Sequence, residues 1–420
     1  MLYHLYEWQH SALAPARIAA DIGHRLLRHP LNPVGYTPAG RAMAASLDLF
    51  EHTTRRYGKP QFGLETTEID GTPVKVSESV VDRKAFGQLK HFSRETERED
   101  PRVLVVAPLS GHYATLLRDT VRALLPDHDV YITDWRDARN VPVYEGQFDL
   151  DDYIDYVIEW LEFLGPNTHV VAVCQPSVPV LAAIAIMSAD ANPCTPPSMT
   201  LMGGPIDTRV NPTAVNRFAE THSLDWFERR VITRVPFPNP GFMRRVYPGF
   251  LQLAGFLSMN LDRHMDAHWE MYQHLVEGDE ESLESKRAFY EEYRAVMDLT
   301  AEFYLQTLKV VFMEHHLPRG IMVSRDRPVE PSKITRTALF TVEGERDDIS
   351  GVGQTRAAHD LCVALPSTMK AHYEQKGVGH YGIFNGGKWR KLIAPKVKAF
   401  IRAHDHKLGV NGQAFSLSSD

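Results

Sequence analysis

The segment 169–179, His-Val-Val-Ala-Val-Cys-Gln-Pro-Ser-Val-Pro, carries the feature on which the fold assignment depends. Residues 170–173 form a short apolar run typical of a buried strand, and residues 177–187 form an apolar helical run. Cys174 lies at the turn between them, where unpaired N–H groups and the helix dipole favour a thiolate. The segment predicts a cysteine nucleophile at a strand-to-helix turn or, as the alternative, a small buried cysteine.

Strands and helices alternate on both sides of this segment. Further strands are predicted at 102–106, 129–134, 199–202, 338–342 and 369–374, and helices at 114–125, 150–164, 354–365 and 388–403. Strands that alternate with helices of this length form right-handed βαβ units. The sequence therefore predicts an α/β fold with a mostly parallel sheet and helices on both faces.

The alternation is interrupted, which divides the chain into four predicted parts. They are a helical N-terminal arm at 1–60, an α/β core at 61–205 and 328–404, a helical and aromatic cap or lid at 206–327, and a polar tail at 405–420. The segment 206–327 has the length of a cap inserted into an α/β core.

Length and composition exclude several classes of protein. The chain has 420 residues, 43% of them apolar, and can bury one large core. Its net charge of -7, with both signs intermixed, gives no basic surface for nucleic acid, and no apolar run is long enough to span a membrane. The N-terminus does not resemble a secretory signal, and the three cysteines have no CxxC spacing. We expect an intracellular protein without disulfides, metal or cofactor.

Three reactive residues follow predicted strands in the order nucleophile, acid, histidine. Cys174 is the first, Asp347 and its neighbour Asp348 follow the strand 338–342, and His380 follows the last strand. Because sites in open α/β sheets form at the carboxyl ends of strands, we expect these residues to lie close together. Their order is that of the α/β-hydrolases. The sequence predicts a Cys174, Asp347 and His380 triad in this fold, with Asp348 as the alternative acid.

Backbone N–H groups near the cysteine form the predicted oxyanion hole. The N–H of Gln175, directly after Cys174, is one donor. A turn after an early strand supplies the second donor, from Leu109 or Ser110. These groups would stabilise the negative oxygen of a tetrahedral intermediate.

The cysteine turn departs from the G-x-S-x-G elbow of most esterases. Ala172 and Pro176 stand where that motif has glycine. A proline is tolerated in the first helical turn because its missing N–H would have no intrahelical acceptor. Ser177, one turn into the helix, is the alternative nucleophile.

Several blocks of the chain, in one order, match a family. They are VLVVAPLSGH at 103–112, DHDVYITDW at 127–135, VAVCQP at 171–176, MGGPID at 202–207, GERDDIS at 344–350 and GHYGIF at 379–384. In these blocks the chain resembles the intracellular poly(3-hydroxybutyrate) depolymerases, which are similar to polyhydroxyalkanoate synthases. Gln-Pro follows Cys174, whereas the synthases keep glycine at both flanking positions.

The resemblance implies hydrolysis of stored amorphous poly(3-hydroxybutyrate) in the cytoplasm, at the surface of storage granules. It also implies that Cys174, Asp347 and His380 occupy the positions of the family's triad. The partner is then the granule or polymer oligomers, and monomer and homodimer both stay open. Alternative functions are a synthase-like acyltransferase, thiolysis to the coenzyme A ester, and a non-catalytic granule-coating protein.

An insoluble apolar substrate requires an exposed apolar surface. The predicted polymer-binding residues are aromatic side chains of the cap, with packing of the cap against the core as the alternative: Trp226, Phe237, Phe242, Tyr247 and Phe250. His264 and His268 have helical i, i+4 spacing that can ligate zinc, but no third ligand accompanies them, so a solvated helix face is the preferred interpretation.

Overall fold

The fold is described from a computed structural model, in which residues 2–259, 272–273 and 290–406 are described. The strands in this part are β1 (Thr66–Ile69), β2 (Thr72–Arg83), β3 (Gly87–Arg94), β4 (Arg102–Val106), β5 (Asp129–Trp135), β6 (Thr168–Val173), β7 (Ser198–Met202), β8 (Thr233–Arg234), β9 (Arg245–Tyr247), β10 (Leu299–Thr300), β11 (Val323–Ser324), β12 (Arg327–Pro328), β13 (Ala338–Gly344) and β14 (Lys370–Gln375).

Helices flank these strands along the chain. They are α1 (Leu2–Ala12), α2 (Ala14–Arg28), α3 (Pro38–Thr54), α4 (Arg118–Leu124), α5 (Leu150–Leu164), α6 (Ser177–Ala189), α7 (Ala214–Thr221), α8 (Leu224–Val231), α9 (Gly249–Met259), α10 (Ala301–Thr307), α11 (Ala358–Leu361), α12 (Gly386–Lys388) and α13 (Ala394–Ala403).

The large sheet has the order β1-β2-β3-β5-β4-β6-β7-β13-β14. Strands β1, β2, β3 and β5 pair antiparallel in succession, and every pair from β5 to β14 is parallel. All six residues of β6 are buried, as expected for a valine-rich strand covered on both faces. The predicted α/β-hydrolase fold with a mostly parallel sheet is confirmed.

The strand order positions the site. Strand β4 lies between β5 on one side and β6 on the other, so connections leave the sheet in opposite directions at this point. At such a switch point the loops after adjacent strands separate and leave a crevice at their carboxyl ends. The loops after β4 and β6 contain Leu109, Ser110 and Cys174.

One predicted helix is wrong in extent. The sequence pattern at 354–365 predicts a full helix, but α11 covers only Ala358–Leu361. The carboxylate of Glu343, which is 1% exposed, accepts hydrogen bonds from the N–H groups of Gly353, Thr355 and Arg356 at 2.8, 2.8 and 2.9 Å. These bonds pair a buried carboxylate with backbone donors and fix the turns that precede α11.

The segment 206–327 contains helices α7 to α10 and also a small sheet that the sequence did not predict. Its strands have the order β10-β9-β8 and pair antiparallel. They are two or three residues long, which is too short to produce a visible alternation of apolar and polar residues. Residues 260–271 and 274–289, which include His264 and His268, lie outside the described residues.

Helices α1, α2 and α3 form the N-terminal arm. The hydroxyl of Tyr3 in α1 donates a hydrogen bond of 2.6 Å to the carboxylate of Asp298, beside β10. Both residues are buried, at 1% and 5% exposure, so this contact fixes the arm to the segment that precedes α10. Of the predicted polar tail, residues 407–420 lie outside the described part of the chain.

Candidate active site

Cys174 occupies a strained turn between β6 and α6. Its φ is +70°, in the left-handed region that a residue with a Cβ adopts rarely and at an energetic cost. The turn is tight because the N–H of Cys174 donates a 2.7 Å hydrogen bond to the carbonyl of Met202 at the end of β7. The side chain is half-buried against the core. Backbone strain of this kind is concentrated at functional sites.

Two glycines directly after the neighbouring strand β7 make room for the turn. A Cβ on Gly204 would lie 2.1 Å from both Cβ and Oγ of Ser177, and 3.0 Å from the carbonyl oxygen of Cys174. Gly203 has a φ of +59°, and a Cβ there would lie 3.3 Å from Cε1 of His380. The small residues needed for close packing thus stand after β7 and not within the turn itself. Sequence reasoning did not assign this role, although a Gly-Gly pair directly after a strand was its signal.

The histidine and the acid predicted from chain order are in contact. Nδ1 of His380 lies 2.7 Å from Oδ2 of Asp347. The other oxygen of Asp347 accepts hydrogen bonds from the N–H groups of Ile349 and Ser350 at 2.9 and 2.8 Å. Asp347 and His380 are 8% and 4% exposed, whereas Asp348 is exposed. The geometry therefore joins His380 to Asp347 and leaves Asp348 at the surface.

Electrostatics favour a charged imidazole in this site. Burial alone would lower the pKa of His380, but the carboxylate of Asp347, together with Cys174, raises this pKa well above its ordinary value. The side chain of Cys174 is also a hydrogen-bonding neighbour of His380. Because Asp347 occupies Nδ1, Nε2 is the ring nitrogen left for the sulfur. The arrangement places a readily protonated imidazole beside the sulfur of Cys174.

The predicted oxyanion donors differ in whether their N–H groups already have an acceptor in the protein. Within the described residues, the N–H groups of Gln175 and Ser110 donate to no protein acceptor, so the fold itself uses neither of them. The N–H of Leu109 instead points to Oε1 of the Gln175 side chain, at the long distance of 3.4 Å. Gln175 is 8% exposed, and its Nε2 has no hydrogen-bond partner in the part of the chain that the structure describes. A carbonyl-type oxygen therefore already occupies the position in front of Leu109.

The loop after β4 is covered by the segment that precedes β10. Gly111, at a φ of +107°, accepts a 2.7 Å hydrogen bond from the N–H of Met297. Nε2 of His112 donates to the carbonyl of Tyr293 at 3.0 Å, and His112 forms a β-bridge with Val296. His112 is 2% exposed, and burial lowers its pKa to about 4. A neutral His112 thus joins the predicted oxyanion loop to the segment above it.

Of the five predicted polymer-binding aromatic residues, two are exposed. Phe237 is 79% exposed and Phe242 is 47% exposed, and their rings meet edge to face with centroids 6.2 Å apart. The other three are half-buried. The ring of Trp226 packs on Phe218, His222 and Phe227. The ring of Tyr247 packs on Tyr304, and that of Phe250 packs on Tyr3 and Tyr6. The stacking of Phe250 on Tyr6, at 4.1 Å, joins the arm to α9.

No cluster of three or more potential metal-ligating side chains occurs among the residues that the structure describes. No helix in the described ranges is both long and apolar enough to cross a bilayer.

The sheet order, the strained turn after β6 and the acid and histidine after β13 and β14 define an α/β-hydrolase. Residues 203–405 match the family described as "PHB de-polymerase C-terminus". The resemblance to poly(3-hydroxybutyrate) depolymerases is confirmed over this segment, and it supports an ester hydrolase. The matched segment contains Asp347 and His380, while Cys174 precedes it.

Solved structures resemble this chain only in fold. A thermophilic esterase from Thermogutta terrifontis is 12% identical, with 81% of this chain and 97% of that chain covered and a TM-score of 0.40. The 2-hydroxy-6-oxo-6-phenylhexa-2,4-dienoate hydrolase from Rhodococcus sp. strain RHA1 is 11% identical, with 79% and 100% covered and a TM-score of 0.42. Among curated proteins no sequence matches the chain.

Proposed function

We propose that this protein is an intracellular depolymerase that hydrolyses the ester bonds of amorphous poly(3-hydroxybutyrate) to 3-hydroxybutyrate and short oligomers. The observation that carries the proposal is the strained cysteine turn beside a buried histidine whose Nδ1 lies 2.7 Å from Asp347. The match of residues 203–405 to the depolymerase family supports the choice of substrate. The place of action is the surface of cytoplasmic storage granules.

The first half of the reaction forms a thioester. The thiolate of Cys174 attacks the carbonyl carbon of a main-chain ester, and the carbonyl oxygen becomes negative. The bond from this carbon to the alkoxy oxygen then breaks, and the imidazolium of His380 gives its Nε2 proton to that oxygen. One fragment of the polymer leaves with a free hydroxyl end, and the other stays bound to sulfur as an acyl thioester.

The second half of the reaction restores the enzyme. His380, now neutral, takes a proton from a water molecule, and the resulting hydroxide attacks the thioester carbon. The carbon–sulfur bond breaks, the thiolate of Cys174 returns, and the product leaves with a carboxyl end. Asp347 keeps the Nδ1 side of His380 occupied, so that Nε2 carries the proton in both halves.

Backbone groups stabilise the negative oxygen in both halves. The free N–H groups of Gln175 and Ser110 are the donors that need no rearrangement. The N–H of Leu109 becomes a third donor when the substrate oxygen displaces Oε1 of Gln175. Each such donor typically contributes about 10²- to 10³-fold to the rate.

The exposed pair Phe237 and Phe242 supplies an apolar contact for the polymer. Trp226, Tyr247 and Phe250 belong to the same predicted set, but each is half-buried against an apolar cluster.

The deciding experiment is the release of 3-hydroxybutyrate from amorphous granules by the wild type, Cys174→Ala and Cys174→Ser. We expect Cys174→Ala to lose activity by about 10⁴-fold or more, because the nucleophile is absent. Circular dichroism and the melting temperature verify that the variant is folded. Activity of Cys174→Ala near the wild-type level would refute the mechanism.

The same experiment separates the alternative functions. Repeating it with coenzyme A distinguishes hydrolysis from thiolysis, since the product is then an acid or a coenzyme A ester. Polymer formed from 3-hydroxybutyryl-coenzyme A would indicate a synthase-like acyltransferase. A granule-coating protein would release no product and would leave Cys174 unreactive towards iodoacetamide at neutral pH.

A further inference from the structure

The N-terminal arm exposes an unusual share of large apolar side chains. Among the described residues 22 such side chains are exposed, and ten of them lie between residues 2 and 43. Isolated exposed apolar residues are normal, but a concentration of them in one small part of a molecule marks an interaction surface.

Three of these residues form a continuous stripe on α2. Ile18, Ile22 and Leu26 are 62%, 53% and 61% exposed. Their spacing of four residues stacks them along one face of the helix. Pro15 and Ala19, also exposed, fall on the same face at 100° per residue, so that no charged side chain interrupts it. We call Ile18, Ile22 and Leu26 the arm stripe.

Among residues 2–259, 272–273 and 290–406, the arm stripe is not used for packing of the fold. The opposite face of α2 packs on α3: Ala20 is 3% exposed, and a Cβ on Gly23 would lie 2.9 Å from Cδ1 of Leu47. His24 strengthens this contact through Nδ1, which lies 3.0 Å from the carbonyl oxygen of Ala44. The arm is thus held by one face of α2 and presents the other face to the surroundings.

The net charge of the N-terminal arm helps to decide which kind of partner the arm stripe can bind. Residues 1–58 carry six arginines and four acidic residues, in a chain whose overall charge is -7. The arm is therefore positive and the remainder is strongly negative. A twofold dimer through α2 would place two positive arms together, because such an interface pairs a surface with itself. A polyester surface is apolar, and its only formal charges are the carboxylate ends of its chains.

We infer that the arm stripe is the surface by which this protein docks on solid polyester. The inference rests on the proposed function, which supplies the partner. The apolar stripe contacts the methyl and methylene groups of the polymer, and the net positive charge of the arm complements its carboxylate ends. Docking through α2 is separate from catalysis, since the arm stripe contains no residue of the predicted site.

The test replaces the stripe without altering the helix. In Ile18→Gln/Ile22→Gln/Leu26→Gln each new residue is a good helix former. The matched control is Phe163→Gln/Val363→Gln/Leu392→Gln, three residues of the α/β core that are 56%, 67% and 44% exposed. Binding is measured by co-sedimentation with amorphous poly(3-hydroxybutyrate) granules, both with active protein and in a Cys174→Ala background. Hydrolysis of a soluble short ester and the melting temperature are measured in parallel.

We expect the arm variant to bind granules about tenfold or more weakly, with unchanged turnover of the short ester and an unchanged melting temperature. The control variant should bind like the wild type. Equal granule binding by the arm variant and the wild type would overturn the inference. A lowered melting temperature of the arm variant would also overturn it, because the stripe would then serve internal packing. Loss of a dimer that light scattering detects in the wild type would overturn it too, because the stripe would then contact a second copy of the chain. Failure of the wild type to bind or degrade polyester would instead overturn the proposed function.

Discussion

Helices α6 and α2 are similar in length and both rich in aliphatic residues, yet the fold treats them in opposite ways. Eleven of the 13 residues of α6 are buried, and this helix supports the strained turn that holds Cys174. Only Ala20 is buried in the 15 residues of α2. The apolar side chains of α6 fix the geometry of the proposed nucleophile, whereas those of α2 are exposed on the surface proposed for docking. Changes near α6 should therefore affect every substrate, and changes on exposed surfaces should affect only the polymer.

The largest effect is expected when the acid is neutralised. Asp347→Asn should reduce kcat/KM for a soluble short ester by about 10⁴-fold, because His380 loses the partner that fixes its Nδ1 proton. Asp348→Asn is the matched control and should stay within about threefold of the wild type, since its carboxylate is exposed. A reversal of these two results would identify Asp348 as the acid. Ester hydrolysis by both variants measures the difference directly.

Acidification should weaken the contact between the oxyanion loop and the segment above it. The pKa of His112 is lowered to about 4 in the folded protein, below the ordinary value of about 6.5 in the unfolded chain. Neutral His112 thus contributes stability that is complete above pH 6.5 and is lost as the pH falls to 4. The loss is on the order of 3 kcal/mol.

Chemical denaturation between pH 7 and pH 4 checks this expectation. His112→Gln should show a shallower fall in the free energy of unfolding than the wild type over this range. The slope is compared and not the absolute stability, because the substitution also alters packing. Parallel curves for the two proteins would contradict a role for His112 in the acid sensitivity.

Substitution of Gly204, the second residue after β7, tests how closely this part of the chain approaches the cysteine turn. Gly204→Ala places a Cβ 2.1 Å from Ser177, so backbone or helix must shift, at a cost of about 1–3 kcal/mol in the free energy of unfolding. Gly58→Ala is the control, since nothing lies within 4 Å of a Cβ there. Thermal unfolding of both variants gives the comparison. Equal stability would mean that the turn tolerates displacement.

The smallest effect is expected at the exposed aromatic pair. Phe237→Ser/Phe242→Ser should lower hydrolysis of granules by roughly three- to tenfold and leave hydrolysis of a short ester unchanged. Phe250 is a poor choice for this test because its ring stacks on Tyr6 and its loss would loosen the arm. A proportional fall with both substrates would show that the pair has a structural role.

Much of this architecture can be predicted from the sequence because it depends on local patterns of residues. The buried strand at 168–173 and the helix at 177–189 follow from runs of apolar residues, and the order of Cys174, Asp347 and His380 follows from their places after strands. Strand ends meet at one edge of a parallel sheet, so chain order predicts the contact between His380 and Asp347.

The remaining features depend on contacts between residues far apart in the chain. The side chain of Gln175 reaches Leu109, and Tyr3 reaches Asp298, 295 positions away. Glu343 holds the turns before α11 through three hydrogen bonds to backbone N–H groups. No periodic pattern encodes such pairs, since each depends on side-chain positions that exist only after the sheet has formed.

The left-handed backbone of Cys174 also concerns anyone who would make this protein more heat-resistant. A glycine would adopt the φ of +70° with little strain, whereas a residue with a Cβ pays roughly 1–2 kcal/mol. Consensus or computational design that ranks positions by stability alone would therefore favour glycine at residue 174. Such a design would gain thermal tolerance by deleting the sulfur, so stabilising work on this scaffold should hold that residue fixed and begin elsewhere.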